Sequence, residues 1–146
     1  MSAAASSPPR AHAPWRAISA TLDDLPGKPW ERGGRGPGAY DCWGLVLEVR
    51  RRLALPLPPD FASGAFGCEV ARRLFHDVRP PGWVRGELCL GGILLAPGPG
   101  HAGILVGARV LHAQAKTGVV AWSLGHWAAT FGDVECWQCL PPRSSC

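Results

Sequence analysis

Residues 29–53 read PWERGGRGPGAYDCWGLVLEVRRRL, and this stretch decides the fold. Down to Ala39 it is dense in glycine and proline, a composition that favours loop over any regular element. The character then changes. Asp41 stands where a helix N-cap belongs, since a short carboxylate accepts hydrogen bonds from the open N–H groups of a first turn. Leu45, Val46, Val49 and Leu53 follow at helical spacing, Arg50, Arg51 and Arg52 suit the negative end of the helix, and Pro56 marks a stop. Cys42 therefore opens a helix directly behind a glycine-rich loop. A thiol attacks only as thiolate, and a helix N-terminus favours that anion. Cysteines 68, 89, 136, 139 and 146 lack this placement. The competing role for Cys42 is the ordinary one, a small buried apolar residue.

Outward from this helix, residues 67–78 (GCEVARRLFHDV) predict a second helix ended by Pro80 and Pro81. From residue 83 the pattern shortens. GGILLAPG, HAGILVG, RVLHAQ, GVVAWS and DVECWQCL read as strands between Gly, Pro or Lys-Thr-Gly turns, and SLGHWAATF as a brief helix. Helices first and an antiparallel sheet afterwards make an α+β domain.

The strands supply a base. With Gly107-Ala108 as a two-residue hairpin turn, Val106 pairs with Arg109, Ile104 with Leu111 and Gly103 with His112. His101 then lies diagonal to His112 on one face, roughly 5–8 Å away, with only Gly103 between them. A histidine with an orienting partner is what a thiol nucleophile needs near neutral pH. The chain contains no asparagine, which excludes a Cys-His-Asn arrangement. The orienting group is then His112, a carboxylate or Gln114, and His112 is best placed. His12, His76 and His126 are expected to be structural or solvated. Trp30 and Trp43 flank Cys42 and are candidates to wall a substrate groove, and Asp41 beside it is a candidate substrate or oxyanion contact.

At 146 residues the chain holds one domain with a core of its own. Its charge of +4 is spread over scattered arginines with no basic stripe, which argues against nucleic acid as a partner, and no apolar run reaches membrane-spanning length. Residues 1–14 lack the apolar core of a secretory signal and are expected to form a disordered arm ahead of a domain over 15–146. A disulfide scaffold is not expected in a chain of this size without an export signal. A zinc site at Cys136-Trp-Gln-Cys139 lacks a second ligand pair, and the alternation of VECWQCL puts the two thiols on opposite strand faces. Neither a metal nor another cofactor is expected.

The run PWERGGRGPGAYDCWGLV resembles the nucleophile region of the NlpC-type family of papain-like cell-wall peptidases. In that family a Tyr-x-x-Gly-Gly stretch precedes Asp-Cys-Ser-Gly, and here Gly33-Gly34, Asp41-Cys42 and Gly44-Leu45 match its spacing. HAGILVG resembles the family's His-Val-Gly-Ile strand and VLHA the strand after it. The resemblance implies a papain-like fold, Cys42 as nucleophile, His101 as base, His112 as third polar residue, and a peptidoglycan stem peptide cleaved at the D-γ-glutamyl-diaminopimelate bond. Trp30 stands in place of a tyrosine associated with the oxyanion site, Trp43 replaces the usual serine, and Gly91-Gly92 replaces Gly-Asp. The Asp-Cys-Trp-Gly-Leu form with Pro-Trp upstream resembles the subgroup carried in phage tails and gene transfer agents. That implies tail or hub proteins as partners, assembly into a phage-like particle after synthesis in the cytoplasm, and local opening of the wall during DNA entry. The same substitutions also suit a structural tail component without activity, and the Cys-His pair would equally serve a related amidase or acyltransferase.

Overall fold

The structure, a computed structural model, describes residues 18–61, 67–97 and 100–140. The arm expected over residues 1–14 lies outside them. Helix α1 spans Cys42–Arg52, with Asp41 in extended conformation as its N-cap and the Asp41 carboxylate accepting from Gly44 N–H at 2.7 Å. The helix ends earlier than its sequence suggests. Leu53 N–H still bonds Val49 O, but Ala54 turns left-handed at φ 55°, so the chain leaves the helix before Pro56 is reached. Helix α2, Gly67–Arg73, runs on into a wider π-helical turn, Leu74–Val78, that closes on left-handed Arg79. Helix α3, Leu124–Phe131, is capped by the Ser123 hydroxyl, which accepts from His126 N–H.

Six strands, β1 Trp83–Gly86, β2 Ile93–Ala96, β3 His101–Val106, β4 Arg109–Gln114, β5 Gly118–Ser123 and β6 Glu135–Cys139, form one antiparallel sheet in the order β1-β6-β2-β3-β4-β5. The β3–β4 register is the expected one, Ile104 opposite Leu111 and Val106 opposite Arg109. β1 has no counterpart in the sequence reading. Its four residues WVRG carry too little alternation to stand out, and pairing with β6 is what makes them a strand.

The sheet is covered on both faces. Trp43, Leu45, Val46 and Val49 of α1 share a buried cluster with Ile93, Leu95, Ile104, Val106 and Leu111. Leu94, Leu105, Val110 and Cys136 form a second cluster around Trp127 of α3. Burial on both faces explains why these strands read as unbroken apolar runs. Each such side chain contributes roughly 1.5–3 kcal/mol by leaving water. Cys136 belongs to the second cluster and Cys139 packs against the first, so the CxxC pair points two ways across β6. Among the described residues no helix is long and apolar enough to cross a membrane.

Candidate active site

The loop before α1 is held by hydrogen bonds at close quarters. Asp41 serves three partners: besides Gly44 N–H, its carboxylate accepts from Gly33 N–H at 3.0 Å and from the Arg35 guanidinium at 2.8 Å. Arg35 also reaches Asp60 at 2.9 Å, tying the loop to the segment beyond α1. A Cβ on Gly44 would lie 1.9 Å from the carbonyl oxygen of Gly34, so only glycine lets loop and helix meet here. The Asp-Cys-x-Gly pattern is thus a packing requirement as much as a chemical one. Farther back, Gly27 N–H bonds Val119 O and Val119 N–H bonds Lys28 O. These bonds dock the loop where β5 begins and β4 ends. Cys42 opens α1 at that end, within the first cluster, on the face of the sheet away from α3.

The same end carries the histidines. His101 opens β3, and His112 sits opposite Val120 near the end of β4. Their rings meet, His101 Nε2 lying 2.9 Å from His112 Nδ1. Gly103 makes room: a Cβ there would come within 2.8 Å of Val110 and 2.9 Å of Trp127. The pair lies on the α3 side of the sheet, where His101 packs on Trp127 and Phe131 with ring centres 5.6 and 5.2 Å away. Burial pushes the His101 imidazole down to about 4. It pushes His112 down to about 3, with His101 and His126 adding to the effect. Both rings are therefore neutral at neutral pH, the state a proton acceptor requires.

This burial sets an acid limit on the fold. An unfolded chain protonates both rings near 6.5 while the folded protein resists until about 4 and 3. The folded state then binds fewer protons, so stability is full above pH 6.5 and falls as pH drops toward 4, by on the order of a few kcal/mol. Denaturation midpoints measured from pH 7.5 to 4.5 should decline in the wild type and flatten in His112→Phe. An equal slope in both would refute this origin.

Three sequence expectations need correction. Cys42 was expected as a thiol and occurs in disulfide linkage. Trp43 does not wall a groove. It is fully buried, donates from its indole N–H to Pro59 O at 3.1 Å, and packs between Phe61 and Phe75. Asp41 acts as cap and loop clamp, with both carboxylate oxygens engaged. Trp30 is half-buried at the rim of the first cluster, bridged to Tyr40.

Of the remaining histidines, His126 stacks on Trp122 at 3.8 Å, and His76 bonds the buried Glu135, which also accepts from the Trp137 indole at 2.7 Å. His12 lies outside the described residues. Sequence reasoning missed the aromatic wall of Trp122, Trp127 and Phe131 around the histidine pair. The signal available was Gly103, whose lack of a side chain implies a large neighbour.

The geometry matches known structures in fold. The NlpC/p60 domain of the peptidoglycan hydrolase SagA is 21% identical, with a TM-score of 0.53, over 84% of this chain and 97% of that one. NlpC2 from Trichomonas vaginalis is 17% identical with a TM-score of 0.57, over 86% of this chain and 46% of that one. An NLP/P60-family lipoprotein-like protein from Staphylococcus aureus gives 17% and 0.55, over 88% of this chain and 42% of that one. The fold is the papain-like α+β fold of NlpC/p60 domains. The chain spans less than half the length of the second and third of these proteins. No family model matches the sequence, and no curated protein matches it either.

Proposed function

We propose that the protein is a cysteine peptidase that hydrolyses the stem peptides of peptidoglycan. The observation that carries this reading is the buried His101–His112 pair, at the same end of the sheet as the helix N-terminus that presents Cys42. In the reduced protein, Cys42 gives up its proton to His101 and its sulfur attacks the peptide carbonyl. The Cys42 backbone N–H, at the positive end of α1, faces the developing oxyanion. The His101 imidazolium then protonates the leaving amine, and water hydrolyses the thioester with the same ring as base.

The D-γ-glutamyl-diaminopimelate bond is the substrate bond we favour, and a phage-tail or gene-transfer-agent particle the setting. Both rest on the Asp-Cys-Trp-Gly-Leu resemblance. The test is digestion of purified sacculi and defined stem peptides, with mass analysis of the new amine. Because Cys42 is in disulfide linkage, activity should be low without a reductant and rise at least tenfold with one, in proportion to the Cys42 thiol released. Reductant-treated protein that leaves stem peptides intact would rule the reading out.

The disulfide also favours a second reading, a structural tail component whose cysteine is permanently occupied. Alkylation of the reduced protein against pH separates the two. An activated Cys42 reacts well below the ordinary thiol value of about 8.5, whereas a structural one titrates near it.

A further inference from the structure

The histidine pair leaves one question of chemistry open, which nitrogens carry the protons, and the surroundings of His112 answer it. His112 is fully buried and its Nδ1 faces His101, yet its Nε2 has no hydrogen-bond partner among the described residues. A buried ring nitrogen rarely stays unsatisfied, so something must accept or tolerate it. His101 belongs to β3, on one side of β4. Trp122 belongs to β5, on the other side. With Nδ1 directed toward β3, the opposite edge of the ring, the Nε2–Cδ2 bond, faces β5. There it meets Trp122, ring centres 4.2 Å apart and planes 76° from each other. His126 lies parallel to the same indole at 3.8 Å.

We propose that Trp122 is a positioning residue that sets the tautomer of the pair, its π face receiving the Nε2–H of His112. An aromatic face is electron-rich, attracts an N–H and repels a nitrogen lone pair. His112 is then protonated on Nε2 and bare on Nδ1. Its Nδ1 must accept, so His101 donates from Nε2–H. That leaves Nδ1 of His101 as the one basic nitrogen of the pair. The opposite tautomer would point a lone pair at the indole, and it would place the remaining proton on His101 Nδ1, where the ring can accept nothing from a thiol. A tryptophan two residues from the histidine's cross-strand neighbour thus decides whether the pair works as a base. This builds on the peptidase reading, but its structural content stands apart from turnover.

The experiment is the long-range proton–nitrogen spectrum of the imidazoles in reduced, nitrogen-15-labelled protein. Both His101 and His112 are expected as Nε2–H tautomers in the wild type. Trp122→Leu should move His112 toward a mixture with the Nδ1–H form, and Trp122→Phe, which keeps an aromatic face, should restore the wild-type pattern. In stem-peptide hydrolysis Trp122→Leu should lower kcat by roughly 10- to 100-fold with KM within about twofold, and Trp122→Phe should recover most of it. A wild-type His112 protonated on Nδ1 would overturn the proposal. So would Trp122→Leu with an unchanged tautomer, or Trp122→Phe as altered as Trp122→Leu. Should the wild type hydrolyse no stem peptide, the spectra still decide the tautomer, and only the peptidase reading fails.

Discussion

Cys42→Ala should reduce hydrolysis of stem peptides by about 10⁴-fold or more, to the level that positioning and backbone donors supply without a nucleophile. The side chain is small and nearly buried, so alanine fills most of its volume and the helix start stays capped by Asp41. The comparison belongs with reduced wild-type protein, because the substitution removes the disulfide as well as the thiol. Cys42→Ser makes the contrast sharper. It keeps the size of the side chain but offers a hydroxyl that His101, held near 4 by burial, is far too weak a base to ionise. Both variants should be inactive while His101 and His112 remain hydrogen-bonded. Release of the same fragments at the wild-type rate by either one would mean that the attacking group lies elsewhere, and the site would have to be sought away from α1.

What could be read in advance follows from where each signal resides. The start of α1 was legible because a cap, an apolar stripe and a terminal run of arginines all agree locally, and consistency of that kind is how a sequence specifies an element. The contact of His101 with His112 was legible because a two-residue turn fixes the register of a hairpin, and register fixes which side chains meet. The environment of the pair was not. Trp122 and Trp127 arrive from β5 and α3, and neither the depressed basicity of the rings nor the orphaned Nε2 exists until those elements close over β4. Glu135 was overlooked for a similar reason. A single carboxylate in a strand looks solvated until His76, from the π-helical turn, and Trp137 engage it. The role of Trp43 was misread because its neighbours in space, Phe61 and Phe75, are remote in sequence. Proximity to Cys42 along the chain said nothing about the direction of the indole: successive positions of a helix point about 100° apart.

Trp43→Ala separates these two roles for the residue after the nucleophile. The indole is fully enclosed, bonds Pro59 O at 3.1 Å, and has ring centres 5.3 Å from Phe61 and 6.1 Å from Phe75. Truncation removes the largest side chain of α1, leaves a cavity at the junction of α1 with the 56–61 segment, and strands a backbone carbonyl. Losses of roughly 3–5 kcal/mol are usual for a tryptophan in such a site. In a chain of this size that corresponds to a fall of about 10 °C or more in Tm. Trp43→Phe keeps the stacking and loses only the indole hydrogen bond, so about 1 kcal/mol of the loss should remain. KM for a stem peptide, measured below the new transition, should stay near the wild-type value in both variants, since the ring touches core and not substrate. A several-fold rise in KM with Tm unchanged would reverse the assignment and return Trp43 to the groove. The segment it holds carries Asp60, and Asp60 pairs with Arg35, which in turn grips the cap Asp41. Loss of the indole therefore loosens the loop that aims Cys42, and the fall in kcat should track the fall in Tm across the two variants.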